Sequence, residues 1–364
     1  FGYRDIPIQE NGRIKPLDTF ARNHLLAMYG KRSLKYPAFP ENMDSDKLSA
    51  IDWFFDIALH PNEADKYKVF SIKNPEIVGS LGLKWDPKHL YDRMEILVGL
   101  QQQSEYIKQI HSMEEEDITP FDREMLYLYN NVIHFQELCF SFSCLLPSIK
   151  IDDQHIADVL EVKNGDKLSY YNIMKQANAI NPMIEGLLDK QTNDWTDSER
   201  ALSRIITGLN EINKDNFARS VKIIPPENIN VEENWLSPWE LMDGRKISSQ
   251  QEKILNVISN YLNARLNKNM LSSKRILAEF NDALMPYQSI INIKNIQRET
   301  WMNEVNLFYK SIAFYILAFF LLVISWISKP ILLRKIAFFS LLIGLSFHFY
   351  GILLRIIIMQ RPPI

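Results

Sequence analysis

The distribution of apolar residues divides this chain into a long mixed region and a short apolar one. Residues 1–304 combine polar and apolar positions, mostly at helical spacing, whereas residues 305–364 are mostly apolar. Residues 311–328 contain no charged side chain, and residues 336–359 contain none except Arg355. Each stretch is long enough to cross a hydrocarbon core of about 30 Å. The pattern therefore predicts a globular domain followed by two transmembrane helices.

Apolar stripes at helical spacing predict that the globular domain is mainly helical. The first stripe ends at Gly30, a natural helix stop, and consists of Leu17, Phe20, Ala21, Leu25 and Met28. The second lies between Ser45, a candidate cap, and Pro61, and consists of Leu48, Ile51, Phe55 and Leu59. Both stripes would face the core of the domain.

Proline positions and local composition predict the remaining elements. Asp86-Pro87 and Thr119-Pro120 are typical helix starts, the second with Glu124 following and a helix that runs to Leu146. Further helices are predicted at 168–178, 181–190, 196–214, 249–267 and 271–285. Strand signals are few and fall at 69–72, 149–151 and 221–224.

The predicted organisation is a mainly α fold with a helical extracytoplasmic domain and two spans. Its segments are the domain at 1–304 with a hinge at 225–234, a transmembrane helix at 305–328, a cytoplasmic loop at 329–335, a transmembrane helix at 336–359, and the start of an extracytoplasmic loop at 360–364. The short loop is placed inside because it carries Lys329, Arg334 and Lys335. Residue 1 is Phe with no signal segment before it, so we expect a fragment of a longer chain.

Charge and composition exclude several classes of function. The formal net charge is −3 and the isoelectric point is near 6.2, so the chain lacks the basic footprint of a nucleic-acid-binding protein. No catalytic triad, phosphate loop or carboxylate pair stands out, and none of the histidines before residue 348 has metal-ligand spacing. Cys139 and Cys144 are five residues apart in a predicted helix, which favours buried thiols over a disulfide.

The second apolar stretch carries a histidine, His348, at membrane depth. An ionisable side chain there is costly unless it is paired, so His348 is a candidate functional residue. Gly344, His348, Gly351 and Arg355 are spaced to lie on one helix face, with Arg355 about 10 Å along the axis. The glycines clear space either for a flat ligand or for a closely packed helix.

This face suits a haem, whose iron takes an imidazole and whose carboxylates take a guanidinium. The candidate cofactor-binding residues are therefore His348, as the ligand of the haem iron, with Arg355, Gly344 and Gly351. The alternative is that His348 is a buried imidazole, hydrogen-bonded to a neighbouring helix.

Three stretches, taken together, resemble one family of membrane proteins. Residues 6–22, IPIQENGRIKPLDTFAR, are similar to an opening of the form P-V-x-x-x-G-R-x-K-P-L-D-T-x-A-R. Residues 304–309 (EVNLFY) followed by 316–322 (ILAFFLL) are similar to the approach to a membrane span. Residues 348–364, HFYGILLRIIIMQRPPI, are similar to H-x-x-G-L-x-L-R-x-x-x-x-x-R-P-P. The chain thus resembles System II cytochrome c biogenesis proteins of the CcsA/ResC-like and fused Ccs types, without their tryptophan-rich haem-handling half.

The resemblance implies a function in cytochrome c assembly. Members carry haem across or within the bacterial inner (plasma) membrane and present it, reduced, to apocytochrome c outside, where thioether bonds form. The implied cofactor is b-type haem in transit. The implied partners are apocytochrome c, other maturation proteins (ResB-like and thiol-reducing components) and the lipid bilayer, but no nucleic acid. The full-length protein would act as a holocytochrome c synthase, a haem lyase, with its catalytic half downstream of Ile364.

The resemblance also bears on single residues. It makes His348 the best candidate for contact with haem, and it marks a departure at Arg361, where some relatives have a histidine. In the first motif, four charged side chains either dock a partner or fix the fold through buried ion pairs, and we favour the second; they are Arg13, Lys15, Asp18 and Arg22.

A rival function of a different class is a membrane-tethered sensor or scaffold. Its outer domain would bind a protein partner, and it would hold no haem. The two hypotheses differ in the sequence that they expect downstream of Ile364. The first expects further spans with a tryptophan-rich loop, whereas the second expects a cytoplasmic or signalling module.

Overall fold

The computed structural model describes residues 2–40, 46–188, 190–228, 234–244 and 247–359. It confirms the predicted class, because the described chain is mainly helical and has two helices near its carboxyl end that are long and apolar enough to cross a membrane. The helices are α1 (Leu17–Tyr29), α2 (Ala50–Leu59), α3 (Pro75–Ser80), α4 (Arg93–Gln102), α5 (Ser104–His111), α6 (Pro120–Phe140), α7 (Gln154–Val159), α8 (Tyr170–Lys175), α9 (Ala177–Leu188), α10 (Asp197–Asn213), α11 (Pro238–Met242), α12 (Ser249–Leu266), α13 (Met270–Ala283), α14 (Ile293–Val305), α15 (Leu307–Ile324) and α16 (Pro330–Met359).

The strands are short and pair in sequence order as antiparallel two-stranded sheets. They are β1 (Pro7–Glu10) with β2 (Arg13–Pro16), β3 (Ser33–Lys35) with β4 (Lys47–Ser49), β5 (Phe70–Ser71) with β6 (Leu90–Tyr91), and β7 (Ile149–Lys150) with β8 (Lys167–Leu168). The predicted strands at 69–72 and 149–151 correspond to β5 and β7. The third, at 221–224, makes isolated bridges from Lys222 to Gln9 and from Ile224 to Leu236.

The β1–β2 hairpin was not predicted, although its turn is encoded locally. Asn11 and Gly12 have φ of 51° and 73°, the left-handed conformation that both central residues of a two-residue type I′ turn require. Pro7 faces Pro16 and Glu10 faces Arg13 across the ladder. The hairpin, whose second strand leads directly into α1, therefore brings Glu10 and Arg13 together at its turn.

Several helix ends agree with the sequence prediction. Helix α1 ends at Gly30, whose φ is 76° and whose N–H donates to the carbonyl of Leu26. Helix α6 starts after Thr119 as predicted, but the reciprocal cap comes from Asp122 and not from Glu124. It ends at Phe140, before the predicted Leu146. The helices predicted between 168 and 285 are present with similar bounds, as α8, α9, α10, α12 and α13.

Two predicted helix starts are wrong. Helix α2 begins after Ser49, whose hydroxyl accepts the N–H of Asp52, while the predicted cap Ser45 lies outside the described residues. Asp86-Pro87 starts a turn and no helix, because the Asp86 carboxylate accepts the N–H groups of residues 88 and 90. The next helix is capped by Asp92 instead.

One large apolar core includes both sides of the predicted hinge at 225–234, half of which (229–233) lies outside the described residues. Ile224 and Leu236 exchange backbone hydrogen bonds of 3.0 and 2.8 Å. The buried residues Ile224 and Trp235 belong to the same core as Ile6 and Ile296. A smaller cluster under β7, α7 and α10 includes Ile151, Leu160, Ala201, Leu202 and Ile205. The globular part therefore packs continuously from its first strand to α14.

Helix α14 leads directly into the two apolar helices. Asn306, in the left-handed conformation with φ of 52°, joins α14 to α15. Helices α15 and α16 pack antiparallel, connected by residues 325–329. The loop predicted at 329–335 is shorter than expected, since Pro330 opens α16 and Arg334 and Lys335 lie in its first turns. Proline is favoured at a helix start because its missing N–H needs no partner there.

Candidate functional site

The two glycines of the predicted face lie in the contact between α15 and α16. The residues of α16 buried in this contact are Ala337, Ser340, Gly344, Gly351 and Leu354. A Cβ atom on Gly344 would lie 2.8 Å from Cε1 of Tyr315, and one on Gly351 would lie 3.1 Å from Cζ of Phe308. The space that these glycines leave is thus filled by two aromatic rings of α15. This is the second of the two alternatives for the glycines, close helix packing.

His348 lies at the edge of the same contact, half-buried between those two rings. Its ring centroid is 5.7 Å from that of Phe308, in an edge-to-face arrangement, and 6.2 Å from that of Tyr315. Within the described residues the imidazole makes no hydrogen bond, so the structure does not contain the alternative of a histidine bonded to a neighbouring helix. Both ring nitrogens are therefore available to a ligand.

Arg355 is exposed on α16, while its neighbour Leu354 occupies the buried position. No ion pair of Arg355 occurs in the described part of the chain. The side chain is one helical turn beyond Gly351, in the last turns of the apolar stretch. Of the four predicted residues, the structure thus places two in the helix contact, one at its edge and one outside it.

The His348 imidazole, whose nitrogens have no protein partner in the described chain, is the one feature of this face that suits a haem. The glycines do not form a slot for the porphyrin, since Phe308 and Tyr315 fill the space beside them. No group of three or more His, Cys, Asp or Glu side chains among the described residues could hold a metal ion. Arg361 and the rest of residues 360–364 lie outside the described ranges.

The charged residues of the first motif are paired within the chain. Arg13 forms an ion pair with Glu299 of α14, and Lys15 forms one with Glu10. Arg22 donates from Nε to Oδ2 of Asp18 at 2.7 Å. Lys15 and Asp18 are themselves buried, and such groups are stable only when paired.

Part of this motif fastens the globular body to α14, and we call these interactions the stalk contact. Besides the Arg13–Glu299 ion pair, Thr19 donates to Oε1 of Glu299 at 2.9 Å. Asn303 donates to Oγ1 of Thr19 at 2.8 Å and to Oδ2 of Asp18 at 3.2 Å. The Glu299 side chain is only 7 % exposed. Because α14 continues into α15, the stalk contact fixes the body relative to the apolar helices.

A second set of polar contacts lies beneath the hairpin. Nε2 of His24 is 2.6 Å from Oε1 of Glu10, which also binds Lys15. Burial alone would raise the pKa of Glu10, but the hydrogen bonds from His24 and Lys15 outweigh it and lower the pKa to about 2. Burial lowers the pKa of His24, whose ring centroid is 4.3 Å from that of the tilted His134 ring. Glu10 thus holds the hairpin to α1 as a carboxylate.

The sequence analysis missed Thr19, Glu299 and Asn303 as members of this site. Thr19 lies inside the motif, but only the charged residues of the motif were predicted to form polar contacts. Glu299 and Asn303 are one turn apart on α14, so the sequence could show that they share a face. It could not show which residues that face contacts.

The two cysteines are free and buried, as predicted. Desolvation raises the pKa of each thiol, so both are kept in the unreactive protonated form.

Comparison of the chain with protein-family models, with curated proteins and with solved structures finds no match.

Proposed function

We propose that this chain is the membrane-anchored part of a cytochrome c assembly protein in which His348 contacts haem. The observation that carries the proposal is an imidazole in an apolar helix that has no hydrogen-bond partner among the described residues. Leaving such a group unpaired costs free energy, so a ligand that pairs with it is the simplest reason for its presence. The sequence motifs that resemble System II proteins supply the identity of that ligand.

In this proposal the globular body lies outside the cytoplasm. Lys329, Arg334 and Lys335 lie at the α15–α16 connection, which suits the cytoplasmic side of a bacterial inner membrane. The body, at the opposite end of α15, then faces the compartment where apocytochrome c would be met. ResB-like and thiol-reducing maturation proteins would act on the same side.

The residues around His348 orient it for this role. Phe308 and Tyr315 hold the imidazole from one side, so its other side faces away from α15. Gly344 and Gly351 allow these rings to approach. Arg355, exposed about 10 Å further along α16, would bind a carboxylate of the haem near the membrane surface. Haem, when bound, would supply the iron-porphyrin that becomes attached to the apoprotein.

The stalk contact gives the globular body its part in the proposal. Arg13, Asp18 and Thr19 fix the body to α14, and α14 continues toward the helix pair that carries His348. A protein docked on the body would therefore be held at a constant distance from the haem contact. Such fixed placement favours a reaction between two bound molecules.

Substitution of His348 in the full-length membrane protein tests the proposal. We expect His348→Ala to lose most of the Soret absorbance per protein, and His348→Gly to regain it when imidazole is added. Ser346→Ala, two residues away on the same helix, is the matched control and should keep its absorbance. An unchanged Soret band in folded His348→Ala would contradict haem contact by this residue. A wild-type protein that holds no haem would favour the rival function, a membrane-tethered scaffold.

A further inference from the structure

A groove lies where the globular body, the stalk helix and the end of α16 meet. It is lined by the β1–β2 turn, the first turns of α14 and the last turn of α16, and its volume is about 300 Å³. This volume is within the range of about 300–1,000 Å³ that is typical of small-molecule sites. The groove does not include His348, and it can bind a ligand whether or not haem is bound.

The groove combines polar donors with an apolar wall. Arg13, Asn292 and Asn295 line it on the side of the body and α14, and Ile358 and Met359 line it on the side of α16. Arg13 gives one N–H to Glu299 and makes no other hydrogen bond within the described residues, so further donors remain. The Asn292 side-chain oxygen caps α14, which leaves its NH₂ group for a ligand. This combination suits a molecule with an anionic head and an apolar tail.

The height of the groove matches the headgroup layer of a membrane. A hydrocarbon core of about 30 Å accommodates about 20 residues of helix, which counted from Lys335 reaches Arg355. Ile358 and Met359 come within about one further turn, or roughly 5 Å. The rings of Trp301 and Tyr350, in contact at 6.2 Å, lie below them at the level where such aromatic residues border the core.

The charge around the groove is positive. Lys294 and Arg298 of α14 and Arg355 of α16 are exposed and form no ion pair among the described residues, whereas Glu299 is neutralised by Arg13. Nη1 of Arg298 donates to Oδ1 of Asn295 at 2.9 Å, which holds its guanidinium at the rim. Cations that remain unpaired beside an anion site attract a negatively charged headgroup.

We propose that this groove binds the phosphate headgroup of an anionic membrane phospholipid. Arg13 and the Asn292 amide bind the phosphate. The Asn295 amide, one N–H of which donates to the carbonyl of Ile357 at 3.4 Å, contributes its remaining N–H. Arg298 adds charge at the rim, and the start of the acyl region lies on Ile358 and Met359. The lipid thereby fills the junction between body and membrane beside the stalk contact.

Lipid retention by the full-length protein in detergent, followed by native mass spectrometry, tests this site. We expect phosphatidylglycerol to be retained in preference to phosphatidylcholine. Arg298→Gln should weaken retention about fivefold, since one cation near a membrane surface contributes about 1 kcal/mol. Ile358→Trp should abolish retention by filling the groove without a change of charge. Arg298 and Ile358 are not fully buried, so both variants should fold.

Lys310→Gln removes an exposed cation of α15 that does not line the groove, and it should retain lipid as the wild type does. Equal retention by Ile358→Trp and Lys310→Gln would overturn the proposal, as would equal retention of phosphatidylcholine. Competition separates the two sources of phosphate. Glycerol phosphate or inorganic phosphate that displaces the lipid at equal concentration would identify a site for a soluble phosphate compound and overturn the lipid assignment.

Discussion

The stalk contact and the surroundings of His348 differ in whether their polar groups have hydrogen-bond partners. At the stalk contact Thr19 of α1 donates to Glu299 of α14, and Asn303 of α14 donates to both Thr19 and Asp18. The His348 imidazole, by contrast, makes no hydrogen bond in the described structure and lies beside two aromatic rings. A polar group that is fully paired can stabilise the fold, whereas one left unpaired in an apolar setting does not. The first region therefore has a structural explanation that is complete within the chain, and the second does not.

The largest effect is expected from breaking the stalk contact. Arg13→Ala leaves the Glu299 carboxylate buried without its cation, and loss of one partner of a buried pair costs about 3–5 kcal/mol. Arg13 is itself one-third exposed, so we expect about 3 kcal/mol, at the lower end. Thermal unfolding of the purified protein measures the change.

The matched control for this variant is Arg275→Ala. Arg275 pairs with Glu279 on the exposed face of α13, where such pairs contribute less than about 1 kcal/mol. If the two substitutions lowered the melting temperature equally, the buried Arg13–Glu299 ion pair would not stabilise the protein more than an exposed pair does.

A larger side chain in the helix contact beside His348 should lower the stability of the protein by an intermediate amount. Gly344→Ala places a methyl group 2.8 Å from the Tyr315 ring, and such overpacking costs about 1–3 kcal/mol. The higher helix propensity of alanine offsets up to about 1 kcal/mol of this cost. We expect a net loss of about 1 kcal/mol. Gly186→Ala, at a helical glycine with nothing within 4 Å, should instead stabilise the protein slightly. Stabilisation by both variants would show that α15 and α16 are not closely packed at Gly344.

Acid should weaken the polar contacts beneath the hairpin. The pKa of Glu10 is lowered from 4.5 to about 2, so its stabilisation is complete above pH 4.5 and is lost as the pH falls toward 2. After allowance for solvent screening of this partly exposed side chain we expect about 1 kcal/mol. His24 acts in the same direction from pH 6.5 downward, because burial lowers its pKa.

Denaturant unfolding between pH 5 and 3 measures this slope. Glu10→Gln should be less stable at neutral pH, since Lys15 loses its partner, but should depend less on pH in that window. Glu63→Gln is the control. Lys66 lowers the pKa of Glu63, but both side chains are exposed and screened by solvent, so the loss of Glu63 should change the slope little. If the unfolding free energy of Glu10→Gln depended on pH as steeply as that of the wild type, Glu10 would not be a cause of the acid sensitivity.

The features that could be predicted from the sequence were local. Helix α1 with Gly30, the start of α6 at Thr119 and the two apolar helices result from spacing, caps and composition within short windows. The β1–β2 hairpin was equally local, and the Asn11-Gly12 pair could have revealed it. Asp86-Pro87 misled because the Asp86 side chain closed a turn, an alternative that the same residue types allow.

The contacts that define the stalk contact were not predictable in this way. Arg13 and Glu299 are 286 residues apart, so nothing in the local pattern of either residue names the other. Spacing did place Gly344, Gly351 and His348 near one face of α16. It left open whether that face meets a ligand or a helix, because a glycine creates space without specifying what fills it.

The smallest effect on stability is expected at His348, and that small effect is the sharpest contrast with the stalk contact. His348→Phe removes an imidazole that makes no hydrogen bond in the described structure and adds an apolar ring of similar size beside Phe308 and Tyr315. We expect the unfolding free energy of the haem-free protein to be unchanged or to rise by less than about 0.5 kcal/mol, since no hydrogen bond is lost and an unpaired polar group is removed. Thermal unfolding of the haem-free variant checks this. A loss comparable to that of Arg13→Ala would mean that His348 has a structural partner, and the reason for assigning it a ligand would disappear.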